Sequence, residues 1–267
     1  MFSNNAKRLH YLDPFGRNTR PKVGFLALEI NDYSFSSQKE LFQKKVLEGM
    51  RDVSTIEFVP MIYESVEQAQ QNGIDGLLEI TIDKVFNKTE TLKDGKTNYT
   101  TEVNFSLSGV DVARNVWIDM KSFKRLGSST EGTSKANASA LNLIDDNISK
   151  FAEDVFPVAA SIVNIEEANK NSAKKVRINV GTNMGVKKGM KFDIYEQRKE
   201  GDDESRFLLG EGKVEKDQLS ETEAILKVKG KNNGDQRLFD LQQNIDENTV
   251  IVLVSKASYD IFDKMGF

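Results

Sequence analysis

Apolar positions recur along this chain at two spacings, every second residue and every three to four, and the switches between them mark out the elements. Lys22–Ile30 (KVGFLALEI) is apolar on both faces, which predicts a strand central in a sheet. Ser36 or Ser37 can cap a helix that runs to Asp52. Its buried stripe is Leu41, Val46 and Met50, with Phe42 and Lys45 beside it. Residues 55–61 read as a second strand through Ile56, Phe58 and Met61. A short helix over 65–71 stops at Gly73. Residues 73–85 form a third strand with Leu78, Ile80 and Ile82 on one face, continuing in polar form to Leu92. Asp94-Gly95 then predicts a tight hairpin turn with both positions at positive φ. The return strand, 101–112, carries Val103, Phe105 and Leu107 on one face and changes phase at Gly109, the mark of a bulge. Arg114-Asn115 predicts a second turn, followed by a strand over 116–123. Residues 127–137 are rich in Gly, Ser and Thr and read as a loop. A helix over 138–156 buries Leu141, Ile144, Ile148, Phe151 and Val155, and Pro157 ends it.

Beyond Pro157 the pattern becomes β-like. Strands are expected at 161–166, 176–180, 191–195, 208–214, 223–228 and 249–254, which together predict a small barrel. Two polar stretches, 197–205 and 230–244, read as loops. Gly181, Gly185 and Gly189 interrupt two alternating runs and predict a β-arch with Lys187 and Lys188 at its exposed tip. The chain thus divides into an arm (1–21), an α/β domain (22–157), a barrel (158–254) and a tail (255–267) whose Tyr259, Phe262 and Met265 fall at one-turn spacing.

Composition narrows the chemistry. The 267 residues contain no cysteine, which removes disulfides, zinc–thiolate sites, iron–sulfur clusters and cysteine nucleophiles. The single histidine, His10, lies in the arm and makes a poor general base. The arm's Lys7, Arg8, Arg17 and Arg20 read either as a basic patch or as a solvated linker. A net charge of −4 gives no global field toward nucleic acid. No stretch of 18 apolar residues is present, and residues 1–20 lack the apolar core of a signal peptide, so the expectation is a cytosolic chain or one whose targeting segment has been removed. The three glycines are not a phosphate loop, because a strand follows them and no Ser or Thr follows Lys187-Lys188. The acidic pairs Asp145-Asp146, Glu166-Glu167 and Asp246-Glu247 fit no calcium loop and read as solvated surface. No catalytic residue, cofactor or metal ligand is assigned.

Gly73-Ile74-Asp75-Gly76-Leu77-Leu78 and Leu107-x-x-Val110-Asp111-Val112-x-x-x-Val116-Trp117 make the first domain resemble the CsgG-like fold of the curli-secretion lipoprotein family. Val176–Gly181 with Gly185-Val186-Lys187-Lys188-Gly189-Met190-Lys191-Phe192-x-Ile194-Tyr195 makes the second similar to the C-terminal barrel of the periplasmic flagellar protein FlgT. The resemblance implies an α+β chain: an α/β sandwich with a mixed sheet, then a small SH3-like all-β barrel. It also implies a periplasmic, outer-membrane-associated module, attached to the membrane only by a lipid outside this chain. Such modules assemble with themselves or with other envelope proteins. A pore is not expected, because the hairpin tip 87–97 is polar and charged where a membrane strand needs an apolar row. The expected binding surfaces are sheet edges, the hairpin (Lys88, Lys93, Asp94), the arch (Lys187, Lys188) and the tail (Phe262). Two rival readings are an enzyme or small-ligand receptor with a cleft between the domains, and a cytosolic protein using its arm on RNA.

Overall fold

The computed structural model describes residues 19–200, 203–243 and 249–257. Most of the arm, His10, and the tail residues Tyr259, Phe262 and Met265 lie outside the described residues. Within them the chain is α+β and builds two sheets. In the first, β1 (Lys22–Ile30) runs parallel to β2 (Glu57–Ile62) on one side and to β3 (Gly76–Thr91) on the other. The sheet continues as an antiparallel meander through β4 (Thr97–Asp111) and β5 (Val116–Ser129), so its order is β2-β1-β3-β4-β5 and it is mixed. Helices α1 (Lys39–Arg51), α3 (Thr133–Leu141) and α4 (Ile144–Val155) cover one face, and α2 (Val66–Gln71) covers one end of the other.

The main core lies under the three helices. Phe42, Val46 and Met50 of α1 meet Ile148, Phe151 and Val155 of α4 over Phe25, Ile80 and Phe105. The rings of Phe105 and Phe123 stack at 5.2 Å, and Phe151 meets Phe123 edge-on at 6.4 Å. Phe42, not Leu41, joins Val46 and Met50 as a fully buried member of the α1 stripe. Neither serine caps α1 either. A 3-10 turn, Tyr33–Gln38, precedes it, Gln38 stands at the cap without a side-chain bond, and buried Phe35 draws the turn inward.

Three stretches depart from the sequence expectation in this half. Residues 127–137 are not a loop: β5 continues to Ser129 and α3 begins at Thr133. The expected single helix breaks at Asn142-Leu143. The small residues here serve close packing. A Cβ on Gly127 would stand 2.2 Å from the Ala136 carbonyl oxygen and 2.3 Å from the Ala140 nitrogen, so only glycine lets α3 lie this close to β5. Helix α3 packs on β4 and β5 while α4 packs on α1, and one straight helix cannot do both. The β3–β4 turn also differs. It has three residues, Lys93-Asp94-Gly95, of which Gly95 alone is left-handed (φ 81°). Leu92 N donates to Lys96 O at 2.8 Å to close it, a type I turn with a glycine bulge. The bulge at Gly109 is present, and the extra residue is Ile118 of β5.

The second sheet is antiparallel, with order β6-β12-β9-β10-β11-β8-β7. Its strands are β6 (Ala159–Ala160), β7 (Ile162–Asn169), β8 (Ser172–Ile178), β9 (Lys191–Glu200), β10 (Asp203–Leu219), β11 (Ala224–Gly230) and β12 (Thr249–Lys256). The two ends of that order, β6 and β7, are separated in the chain by Ser161 alone. The sheet therefore curls until its edges meet in one kinked stretch. Both polar stretches expected to be loops are largely regular. Residues 197–205 hold the ends of β9 and β10, and α5 (Gly234–Gln243) lies within 230–244, burying Leu238 and Leu241 against the curled sheet.

Glu196 follows Phe192 and Ile194 on the inner face of β9 and is buried with them. Arg237 of α5 reaches its two oxygens at 2.7 and 3.1 Å, and Arg198 donates at 2.7 Å. The hydrogen bonds from Arg237 hold the Glu196 carboxyl below the usual glutamate range, against the opposing effect of burial. A depressed folded value means that its contribution is full above the unfolded value of about 4.3 and is lost as pH falls through the lower folded value. Glu196→Gln is expected to cost about 1–3 kcal/mol at pH 7 and to shrink the stability lost on acidification. Urea titrations at pH 7 and below pH 4 check this, and a variant as stable as the parent at pH 7 contradicts it.

Candidate interaction surfaces

The face of the first sheet opposite the helices is covered by α2 only around Leu77 and Val110. Beyond that no element among the described residues covers it. The register places Trp117, Met120, Ser122, Lys124 and Leu126 of β5 on this face, opposite Val110, Ser108, Ser106, Asn104 and Glu102 of β4, with Phe86 of β3 beside Glu102. Trp117 is 52% exposed and Met120 68%. Strand β5 is 14 residues long and among the described residues pairs with β4 alone, so one row of its backbone groups faces outward there. Trp117 was visible in the sequence. Phe86, Met120 and Leu126 were not singled out, and their signal is apolar residues in the wrong phase for the core.

The β3–β4 hairpin runs past the helices. Lys88, Lys93 and Asp94 are exposed and share it. Asp94 accepts from Lys96 N at 3.1 Å and faces the Lys96 ammonium at 3.4 Å. Asp75 and Asp111, the acids of the motifs quoted above, have structural work. Asp75 accepts from Lys22 N at 2.8 Å and ties β1 to β3, and buried Asp111 accepts from Arg114 N at 3.1 Å in the next turn.

The arch does two things. Its 3-10 turn, Thr182–Met184, is followed by Gly185 at φ 78°, seated against the backbone of Ser54. Lys187 donates to Asp52 O at 3.3 Å, and Ala257 N donates to Asp154 Oδ1 at 3.2 Å, so the two sheets join through a packed seam. Burial pushes the Glu153 carboxyl up, and the Lys187 charge pulls it partly back. Lys188 points elsewhere, into a groove of about 910 Å³ lined by residues of the second sheet and the arch. Lys187 and Lys188 are thus neighbours in sequence with different surroundings. Among the described residues no group of His, Cys, Asp and Glu could hold a metal ion, and no helix is long and apolar enough to cross a membrane.

No protein-family model matches the chain, and no curated protein matches it by sequence. Solved structures do. The hypothetical protein CT253 from Chlamydia trachomatis is 12% identical at a TM-score of 0.36, over 50% of this chain and 93% of its own. Lipoprotein GNA1162 from Neisseria meningitidis is 14% identical at 0.32, over 51% and 99%. The PelC dodecamer from Paraburkholderia phytofirmans is 14% identical at 0.32, over 49% and 88%. Likenesses with TM-scores below 0.5 define neither the fold family nor the activity of this chain.

Proposed function

We propose that this chain is a non-enzymatic scaffold or assembly module of the bacterial cell envelope, periplasmic and outer-membrane associated, that docks through its first sheet on other envelope proteins or on itself. The observation that carries the docking is β5, a long edge strand with one hydrogen-bonding row open and with Trp117, Met120 and Leu126 exposed on the uncovered face. The hairpin with Lys88, Lys93 and Asp94 extends the same sheet. The finer reading is a CsgG-like α/β unit followed by a FlgT-like, SH3-like barrel. Its support is the quoted motifs, the strand-helix-strand opening before a three-stranded meander, and a curled antiparallel sheet whose ends meet.

Site-specific photo-crosslinking in cells tests the docking surface, with the probe at position 120 and, as control, at exposed Lys39 on α1. Discrete crosslinks from position 120 alone are expected, together with loss of association in Met120→Lys, because a lysine on an edge strand opposes pairing. Cell fractionation is expected to recover the chain with the envelope. A cytosolic chain that stays monomeric and gives no crosslink from position 120 overturns the reading.

A further inference from the structure

We propose that the outer face of the second sheet binds a small anion carrying several phosphate groups. The register brings five lysines into one row across five strands: Lys256 of β12 faces Lys191 of β9, which faces Lys213 of β10, then Lys227 of β11 and Lys175 of β8. Neighbouring strands lie about 4.8 Å apart, and like charges directly opposite one another are destabilising. The ends of the row are neutralised. Lys256 meets Asp193 at 2.6 Å and Glu211 at 2.7 Å, and Lys175 meets Glu215 at 3.1 Å and Glu167 at 3.3 Å. Lys191 stands 3.7 Å from Glu211. The middle is not neutralised. Lys213 and Lys227 are exposed, and neither forms an ion pair among the described residues.

Lys188 from the arch and Lys229 from β11 join those two around the groove of about 910 Å³. Glu211 and Glu215 also line it, but each is committed to a flanking lysine. Burial pushes the Glu211 carboxyl up, yet the hydrogen bond from Lys256 and the surrounding lysine charges bring it below its ordinary value, so it stays ionised and holds the flank. Four ammonium groups thus stand around one concavity against two carboxylates, Glu211 also facing Lys229 across the ladder, and the lining keeps a positive surplus for a ligand. Ammonium groups act as point charges and select for charge density more than for shape, which favours phosphate over a lone carboxylate. None of the lining residues is aromatic, so nothing in the groove stacks a nucleobase. The concavity suits a compact ligand better than a flat lipid surface.

Calorimetric titration of the full chain with inorganic tripolyphosphate, in low salt and without divalent cations, tests the site. Saturable binding is expected, at least about tenfold tighter than for orthophosphate and weakening with added salt. The double variant Lys213→Gln/Lys227→Gln should lose at least about tenfold in affinity, while exposed Lys135→Gln on α3 stays within about twofold and Lys213→Arg/Lys227→Arg retains binding. Circular dichroism confirms that the variants fold. Absence of binding, or equal binding by parent and Gln double variant, overturns the proposal. So does tighter binding of anionic vesicles or single-stranded DNA that the same variant abolishes, since either replaces the ligand class. None of these results bears on the β5 docking surface.

Discussion

Gly185→Ala is expected to destabilise the chain by about 2–5 kcal/mol, from two separate costs. The left-handed backbone costs an alanine about 1–2 kcal/mol, and overpacking against a fixed neighbour adds about 1–3 kcal/mol. That neighbour is backbone: an added Cβ would sit 1.7 Å from Ser54 O, so no side chain can swing away to make room. Gly189 supplies the control within the same arch. Its φ is 82°, but the nearest atom to an added Cβ is the end of the Lys213 side chain at 3.8 Å. Gly189→Ala should therefore show the conformational cost alone, about 1–2 kcal/mol. Urea unfolding of both variants separates the two costs. Equal losses would show that the arch does not rest on Ser54 in solution, and with that the packed seam between the sheets would fall.

Phe151→Ala is expected to cost about 3–5 kcal/mol. Phe151 is fully buried on α4, and its ring meets Phe123 edge-on while Phe123 stacks on Phe105. Truncation opens a cavity where helix layer and sheet meet, and rigid rings around it cannot collapse to fill it. A typical domain has only about 5–15 kcal/mol in total, so the variant should lose a large share of its stability. Leu143→Ala, at the exposed break between α3 and α4, should change stability by less than about 0.5 kcal/mol. Thermal and urea melts check both, and a loss under about 1 kcal/mol for Phe151→Ala would contradict the core placement.

Much of the fold was legible because its signals are local. The run 22–30 is apolar in both phases, and β1 lies between two partners. The stripe Ile144, Ile148, Phe151 and Val155 repeats at helical spacing, and all four are buried. The phase change at Gly109 marks a real register shift. The failures fall where a distant element overrides local composition. Residues 133–137 are small and polar and look like loop, but Ala136 and Ala140 are what Gly127 needs opposite it. Leu238, Phe239 and Leu241 are the three large apolar residues of a polar stretch, too few to signal a helix, yet the curled sheet offers Leu238 and Leu241 an apolar surface.

The interaction surfaces divide the same way. The hairpin lysines and the Asp94-Gly95 turn could be read from the chain, since a polar strand and a turn glycine are local facts. The lysine row could not. Lys175, Lys191, Lys213, Lys227 and Lys256 are scattered over 82 residues, and each alone is an ordinary surface residue. They become one feature only through cross-strand register, which spacing along the chain does not reveal.

By itself, then, the sequence determined the order of the elements from β1 to β5, most of the strands beyond Pro157, the faces these bury, and the absence of cysteine and of any usable histidine from the described sheets, but neither the α3–α4 break nor α5. Those follow from side-chain periodicity and residue type. The tertiary structure alone decided that β5 is an edge strand, how the arch seats Gly185 on Ser54, and which charges stand together. Those depend on contacts between residues far apart in the chain, where hydrogen-bond pairing and close packing choose among partners that the sequence leaves equivalent.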